Sequence, residues 1–248
     1  MAVMDELESI ASEYHLNADI SDMSIEKIAQ IYEFNWIKET VLTLKPSSIL
    51  DLGYGDGIYF NQLTNLAHVT LVEGSTQLSD KARNEIHENN LNASVVNALF
   101  EDFNPKQKFD FIIASHVLEH VSDPLYLLLK IKGWLTPQGK LLIIVPNSES
   151  VHRRLALILN LQDSLDTLSL RDLKVGHKRV YNLKGITEDL HKTGFTVIEK
   201  RGFFLKPFSN SQLLNFDDSV IESLCRISRE LNPELCANLG ILANTQKE

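Results

Sequence analysis

Apolar residues recur along this chain in two rhythms. Short, nearly continuous runs read as buried strands: SILDL at 48–52, HVTLV at 68–72, ASVV at 93–96, FDFIIAS at 109–115, KLLIIV at 140–145, FTVIEK at 195–200 and LGILA at 239–243. Stretches of helical period separate most of them, at Leu78–Asn90, at Pro124–Leu135 behind an Asp123 cap, and at Asn182–Lys192 ended by Gly194. Residues 1–45 are helical in pattern, with Ile25, Ile28, Tyr32, Trp36, Ile37, Val41 and Leu44 on one face behind Ser24 as N-cap. Strands alternating with helices at this spacing predict an α/β, doubly wound sheet, with right-handed crossovers and sites at the carboxyl ends of the strands. Two stretches break the alternation, 147–181 and 207–237. The second carries Leu213, Leu214, Val220, Ile221 and Leu224 on an amphipathic face, and both are expected to form helical cap segments over the carboxyl edge.

The first strand runs into Gly53, Gly55 and Gly57, and Tyr59, Phe60 and Leu63 then begin a helical stripe. Glycines at such a turn permit positive φ and let a ligand approach the main chain. The spacing is not that of a dinucleotide fingerprint, whose third glycine falls one position later, where this chain has Ile58. Asp51 and Asp56 also oppose the field that draws a pyrophosphate to a helix N-terminus, so a cofactor with a cationic end suits the loop better. Glu73 closes the second strand, where a carboxylate is placed to accept hydrogen bonds from ribose hydroxyls. Tyr14 and Tyr32 are also within reach of a cofactor, although aromatics at helical spacing are more often core.

Charge narrows the partners. The 248 residues carry 24 Lys and Arg against 33 Asp and Glu, a formal net charge of -9, without the clustered cations that nucleic-acid binding needs. One local concentration stands out: His152, Arg153, Arg154, Arg171, Lys174, His177, Lys178 and Arg179, which reads either as a solvated surface or as a site for an acidic or phosphate-bearing acceptor. No run approaches the ~18 apolar residues of a membrane span, and the N-terminus lacks a signal-like apolar region. Cys225 and Cys236 lack metal-ligand spacing and read as free thiols, so a cytoplasmic protein is expected.

Two histidine motifs compete for a chemical role. His116-x-x-Glu119-His120 matches an inverted zinc-protease pattern, but that chemistry needs both histidines on a sustained helix, and here a strand ends at Ser115 and Pro124 begins a new helix. No metal is therefore expected. His177 sits in the 147–181 segment where a lid over substrate is expected; His177 and His116 are the candidate proton acceptors, since histidine accepts protons near neutral pH.

Taken together, ILDLGYGDG, LVEGS, FDFIIASHVLEHVSDP, LTPQGKLLIIVPN and GHKRVYNLKGITEDLHKTGF resemble segments of class I S-adenosylmethionine-dependent methyltransferases, in particular small-molecule enzymes similar to the ubiquinone-biosynthesis O-methyltransferases. The resemblance covers about residues 45–205. It implies a Rossmann-like sheet of seven strands with the last antiparallel, and a methyltransferase domain at 46–248 behind a helical cap at 1–45. It also implies S-adenosyl-L-methionine as cofactor, held by Asp51, Gly53, Gly55, Gly57, Glu73, Gly74, Ser115 and His116, with Asn97, Ala98 and Leu99 against the adenine. Asn97 stands where the family more often has Asp. The expected activity is methyl transfer to an oxygen or nitrogen of a small-molecule acceptor by a monomer or homodimer, with no nucleic acid and no membrane. The same fold also serves methylation of a protein or peptide, or cofactor binding without catalysis.

Overall fold

The computed structural model describes residues 2–16 and 23–246; the side chains of Ala2, Val3, Met23 and the expected cap Ser24 lie outside that description. Seven strands form one sheet: β1 (Ser48–Leu52), β2 (His68–Glu73), β3 (Ala93–Asn97), β4 (Phe109–Ser115), β5 (Leu135–Pro146), β6 (Phe195–Phe203) and β7 (Asn238–Thr245). Their order is β3-β2-β1-β4-β5-β7-β6. The first five pair in parallel, and β7 runs antiparallel between β5 and β6, which bears out the expected architecture. β5 starts at Leu135 rather than Lys140, and β6 continues to Phe203, because pairing with β4 and β7 carries both beyond their apolar centres.

Near-continuous apolar runs belong to strands covered on both faces, and the side chains of β1, β4 and β5 divide accordingly. Leu50, Leu52, Ile112, Ala114 and Ile143 pack with Leu127, Leu128 and Ile131 of α5 (Pro124–Trp134) and with Ile186 and Leu190 of α8 (Leu183–Lys192). Ile49, Phe111, Ile113, Leu142 and Ile144 face the other way, onto Trp36 and Val41 of α2 (Met23–Leu44), Phe60 and Leu63 of α3 (Phe60–Thr64), and Leu78 and Ala82 of α4 (Thr76–Asn89). Leu44, expected on the inner face of α2, is exposed because it lies on the last turn, beyond the sheet.

The helix starts follow capping chemistry. Ser75 Oγ accepts from the Leu78 amide, Asp123 from the Tyr126 amide with Pro124 at the first helical position, and Asn182 from the Gly185 amide. Around the cavity at the carboxyl ends of the strands lie α1 (Ala2–Ile10), continued by a π turn at Ala11–His15, then α6 (Val151–Ile158) and α7 (Leu170–Lys174) in the 147–181 segment, and α9 (Asn210–Leu213) in the 207–237 segment, whose other α-helix, α10 (Asp218–Ile227), packs on α2. A small apolar cluster of Ile25, Ala29, Phe204, Leu213, Ile221 and Cys225 joins α10 to α2. Among the described residues no helix is long and apolar enough to cross a membrane. Cys225 and Cys236 are buried free thiols.

Candidate active site

A cavity of 810 Å³ opens between the carboxyl ends of β1, β2 and β4 and the helices above them. Gly53, Gly55 and Gly57 all take positive φ, at 89°, 53° and 72°. They differ in what lies beside them. A side chain at Gly55 would meet no atom within 4 Å, and one at Gly53 only the Phe100 ring at 3.9 Å, so these two leave room for a ligand. A Cβ at Gly57 would stand 2.3 Å from the Tyr54 ring, so Gly57 is glycine for packing.

This end of the cavity is acidic. Asp51, Asp56, Glu73 and Glu33 all line it. Burial, reinforced by the Glu73 charge, pushes the Asp51 carboxyl up to about 7. Glu73 is held by main chain, Oε2 accepting from the Tyr54 amide at 2.9 Å and Oε1 from the Ser75 amide at 2.7 Å. Burial still raises its pKa, against those hydrogen bonds. Asp56 Oδ1 meets His15 Nδ1 at 2.7 Å, while its buried Oδ2 has no partner among the described residues. A buried carboxylate oxygen left open beside a glycine turn is suited to a cationic group.

Ser115 and His116 continue the wall from β4. His116 has φ +55°, uncommon for a non-glycine residue, and both ring nitrogens meet carboxylates: Nε2 to Glu33 Oε2 at 3.1 Å and Nδ1 to Glu119 Oε1 at 3.2 Å. Burial opposes the charge, yet Glu33 and Glu119 together hold the imidazole well above its ordinary value, so it is a cation with no free lone pair. Residues 116–122 form turns rather than a helix, so the inverted zinc-protease arrangement is not formed.

His177 arrives from the 147–181 segment. Its Nδ1 lies 3.1 Å from Asp172 Oδ1, and Asp172 Oδ2 is 2.7 Å from Arg153. Although burial opposes it, the His177 hydrogen bond and the Arg153 charge hold the Asp172 carboxyl well below the usual range. An ionised Asp172 requires His177 Nδ1 to be the donor, which leaves Nε2 as acceptor when the ring is neutral. The ring packs edge-on against His120 at 4.7 Å, and the Glu119 carbonyl accepts from the Lys178 amide at 2.8 Å. Burial pushes His120 down to about 4. Glu119, His120 and His177 each offer one ligand atom within 4.8 Å of the others, the one such group of metal donors among the described residues.

Of the residues read from sequence as cofactor or catalytic ligands, Asp51, Gly53, Gly55, Gly57, Glu73, Ser115, His116 and His177 line this cavity; Gly74, Asn97, Ala98 and Leu99 do not. α1 covers their corner. Leu7 lies where a Cβ on Gly74 would stand (2.9 Å), and Glu8 accepts from Ser75 Oγ at 2.9 Å. Asn97 Nδ2 donates to the carbonyls of Glu73 and Gly74 at 2.9 and 3.1 Å, a staple between β2 and β3. Tyr14 lines the cavity, whereas the Tyr32 hydroxyl accepts from Arg226 instead. Most of the basic concentration is internal stitching: Arg154 pairs with Glu149, Arg171 with Glu26, Lys178 donates to Ser122, and Arg179 donates to the carbonyls of Leu118, Val121 and Ser122. Glu33 and Asp172 were not singled out in the sequence. The available signal for Glu33 was a carboxylate one helical turn from Ala29 and Ile37 on the inner face of α2, where it is 3% exposed.

Residues 21–200 match the family model described as a methyltransferase domain. A relative from Actinobacillus pleuropneumoniae serotype 7 (strain AP76), named a ubiquinone biosynthesis O-methyltransferase, is 32% identical over 114 residues, 43% of this chain. The match spans about half of that relative, 49% of its length. A protein of the same name from Coxiella burnetii (strain Dugway 5J108-111) is 28% identical over 206 residues, 75% of this chain and 80% of the relative. Among solved structures, the N-methyltransferase NodS from Bradyrhizobium japonicum WM9, in complex with S-adenosyl-L-homocysteine, superposes with a TM-score of 0.63 at 12% identity, covering 98% of this chain and 99% of its own. The 1,6-didemethyltoxoflavin-N1-methyltransferase of Burkholderia thailandensis gives 0.61 at 14% identity over 99% and 89%. At these identities the superpositions establish a shared fold.

Proposed function

Because this chain belongs to the methyltransferase-domain family, we propose that it transfers the methyl group of S-adenosylmethionine to an oxygen or nitrogen of a small molecule held in the 810 Å³ cavity. The observation that carries this reading is that one cavity is lined both by an open, acidic glycine turn and by a carboxylate-oriented histidine. The bound cofactor supplies a methyl group made electrophilic by a sulfonium, so the protein's work is alignment, charge complementarity and exclusion of water. Its residues fit such a group: Gly53 and Gly55 leave space for it, and Asp51, Asp56 and Glu73 offer negative charge to its cationic end. Glu73 retains lone pairs for ribose hydroxyls after accepting two amides.

We assign the base to His177. Its Nε2 takes the proton of an attacking hydroxyl while Asp172 steadies the imidazolium that forms, a general-base step worth typically ~10²–10⁴ in rate. His116, already charged, shapes the field at the end of β4 instead. The comparison with ubiquinone O-methyltransferases favours an oxygen acceptor; the N-methyltransferase neighbours share only the fold. The reading is tested by titrating the full chain calorimetrically with S-adenosylhomocysteine. Saturable binding at one site per chain is expected, and absence of binding by folded protein would defeat it.

A further inference from the structure

The cavity is also lined by a lysine that neither the glycine turn nor the Asp172–His177 pair uses. Lys206 lies between the end of β6 and α9, and its side chain lines the same cavity as Gly53 and His177. The charged groups bearing on it are Glu26, Arg171, Arg153 and Asp172. These four are matched among themselves, Arg171 to Glu26 at 2.5 Å and Arg153 to Asp172 at 2.7 Å. Among the described residues Lys206 makes neither a hydrogen bond nor an ion pair. Burial pushes its ammonium below the usual lysine value, with Glu26 partly compensating.

His152 of α6 lines the same cavity, and its buried Nδ1 has no partner among the described residues. Burial, then the charges of Lys206 and Arg153, push this imidazole down to about 3, so it is neutral and offers one N–H and one lone pair. An ammonium with no hydrogen-bond or ion-pair partner among the described residues and a histidine with an unpartnered ring nitrogen therefore line one cavity, and both are costly to leave unmet.

Resting on the reading of this cavity as an acceptor pocket, we propose that Lys206 and His152 form the subsite for a carboxylate carried by the methyl acceptor. The ligand is a monoanion because a single uncommitted ammonium and a neutral N–H balance one negative charge. A phosphate dianion would leave charge unmatched in a partly dry space and favours the bidentate fork of an arginine; the two arginines here are occupied. Ala29, Phe34, Ala156, Leu161 and Phe204 add apolar wall to the same cavity, which suits a hydrocarbon or aromatic body.

A carboxylate is also present on the cofactor, so the experiment separates the two sources. The full chain, saturated with S-adenosylhomocysteine, is titrated by ligand-observed NMR with benzoate and with its neutral isostere benzamide, in wild type, Lys206→Met and Lys206→Arg. A charge-assisted contact predicts that wild type prefers benzoate by about tenfold or more. The preference should vanish in Lys206→Met, persist in part in Lys206→Arg, and leave S-adenosylhomocysteine affinity unchanged throughout. Equal binding of the two probes to wild type, or a preference that survives in Lys206→Met, overturns the proposal. So does a tenfold loss of S-adenosylhomocysteine affinity in a folded Lys206→Met protein, which would give the cation to the cofactor. Wild type that does not bind S-adenosylhomocysteine at all would instead defeat the methyltransferase reading beneath it.

Discussion

Asp172 Oδ1 stands 3.1 Å from His177 Nδ1 while its other oxygen holds Arg153, so one carboxylate both orients a cavity histidine and ties α6 to α7. Asp172→Asn should slow methyl transfer to a hydroxyl acceptor by roughly 10²-fold, and His177→Ala by at least as much, with cofactor affinity little changed. Because the two side chains act as one unit, His177→Ala in an Asp172→Asn background should add little further loss in rate, whereas fully additive losses would mean that Asp172 acts on the fold alone.

The glycine turn predicts opposite phenotypes for neighbouring substitutions. Gly55→Val puts a side chain into open cavity and should abolish S-adenosylhomocysteine binding, at a stability cost of about 1–2 kcal/mol for a branched residue at positive φ. Gly57→Ala instead drives a methyl into the Tyr54 ring, so its main effect should be on the melting temperature. Calorimetric titration and thermal melts on both variants distinguish these outcomes; Gly55→Val that binds normally would remove the cradle.

Much of this site follows from chain pattern, and the reasons for the remainder are physical. The strands were legible because two-faced burial writes continuous apolar runs such as FDFIIAS, and the turn was legible because positive φ selects glycine. Contacts across large sequence separations leave no periodic trace. Nothing local says that Glu33 will meet His116, 83 residues away, or that Glu8 will cap the Ser75 hydroxyl, 67 away. Gly74, Asn97, Ala98 and Leu99 lie off the cavity wall for the same reason, since α1 covers Gly74 from a distant part of the chain. The basic run from His152 to Arg179 looks like one patch by composition, and only the fold divides it into stitched arginines and two histidines, His152 and His177, on the cavity wall.

His116, between Glu33 and Glu119, should make stability depend on pH. Its folded pKa is raised, so its contribution is full below about pH 6.5, the unfolded value, and is lost as pH rises through the elevated folded value. Replacing it by Leu leaves two buried carboxylates uncompensated and should cost roughly 3 kcal/mol, the low end for a broken buried pair because the ring is 30% exposed. Urea unfolding from pH 6 to pH 10 should show the difference between wild type and His116→Leu shrinking as pH rises. A difference independent of pH would mean the ring is uncharged.

Asp51, raised to about 7 by burial and by Glu73, should couple cofactor binding to proton release. A cationic group arriving beside it favours the carboxylate, so S-adenosylhomocysteine affinity should increase as pH rises from 5.5 towards about 7.5, by up to about tenfold per unit where the group is protonated. Asp51→Asn should flatten that slope. Calorimetry in buffers of different ionisation enthalpy reads the released proton directly, and its absence in wild type would place the cationic end elsewhere.

The central claim, methyl transfer to a small molecule, is tested most directly by incubating the full chain with S-adenosylmethionine labelled in its methyl group and a metabolite extract freed of macromolecules by ultrafiltration. Label should move into a low-molecular-weight product with wild type, far more slowly with His177→Ala, and not with Gly55→Val. Label appearing only when the macromolecular fraction is restored, or no transfer by protein that binds S-adenosylhomocysteine, would contradict it.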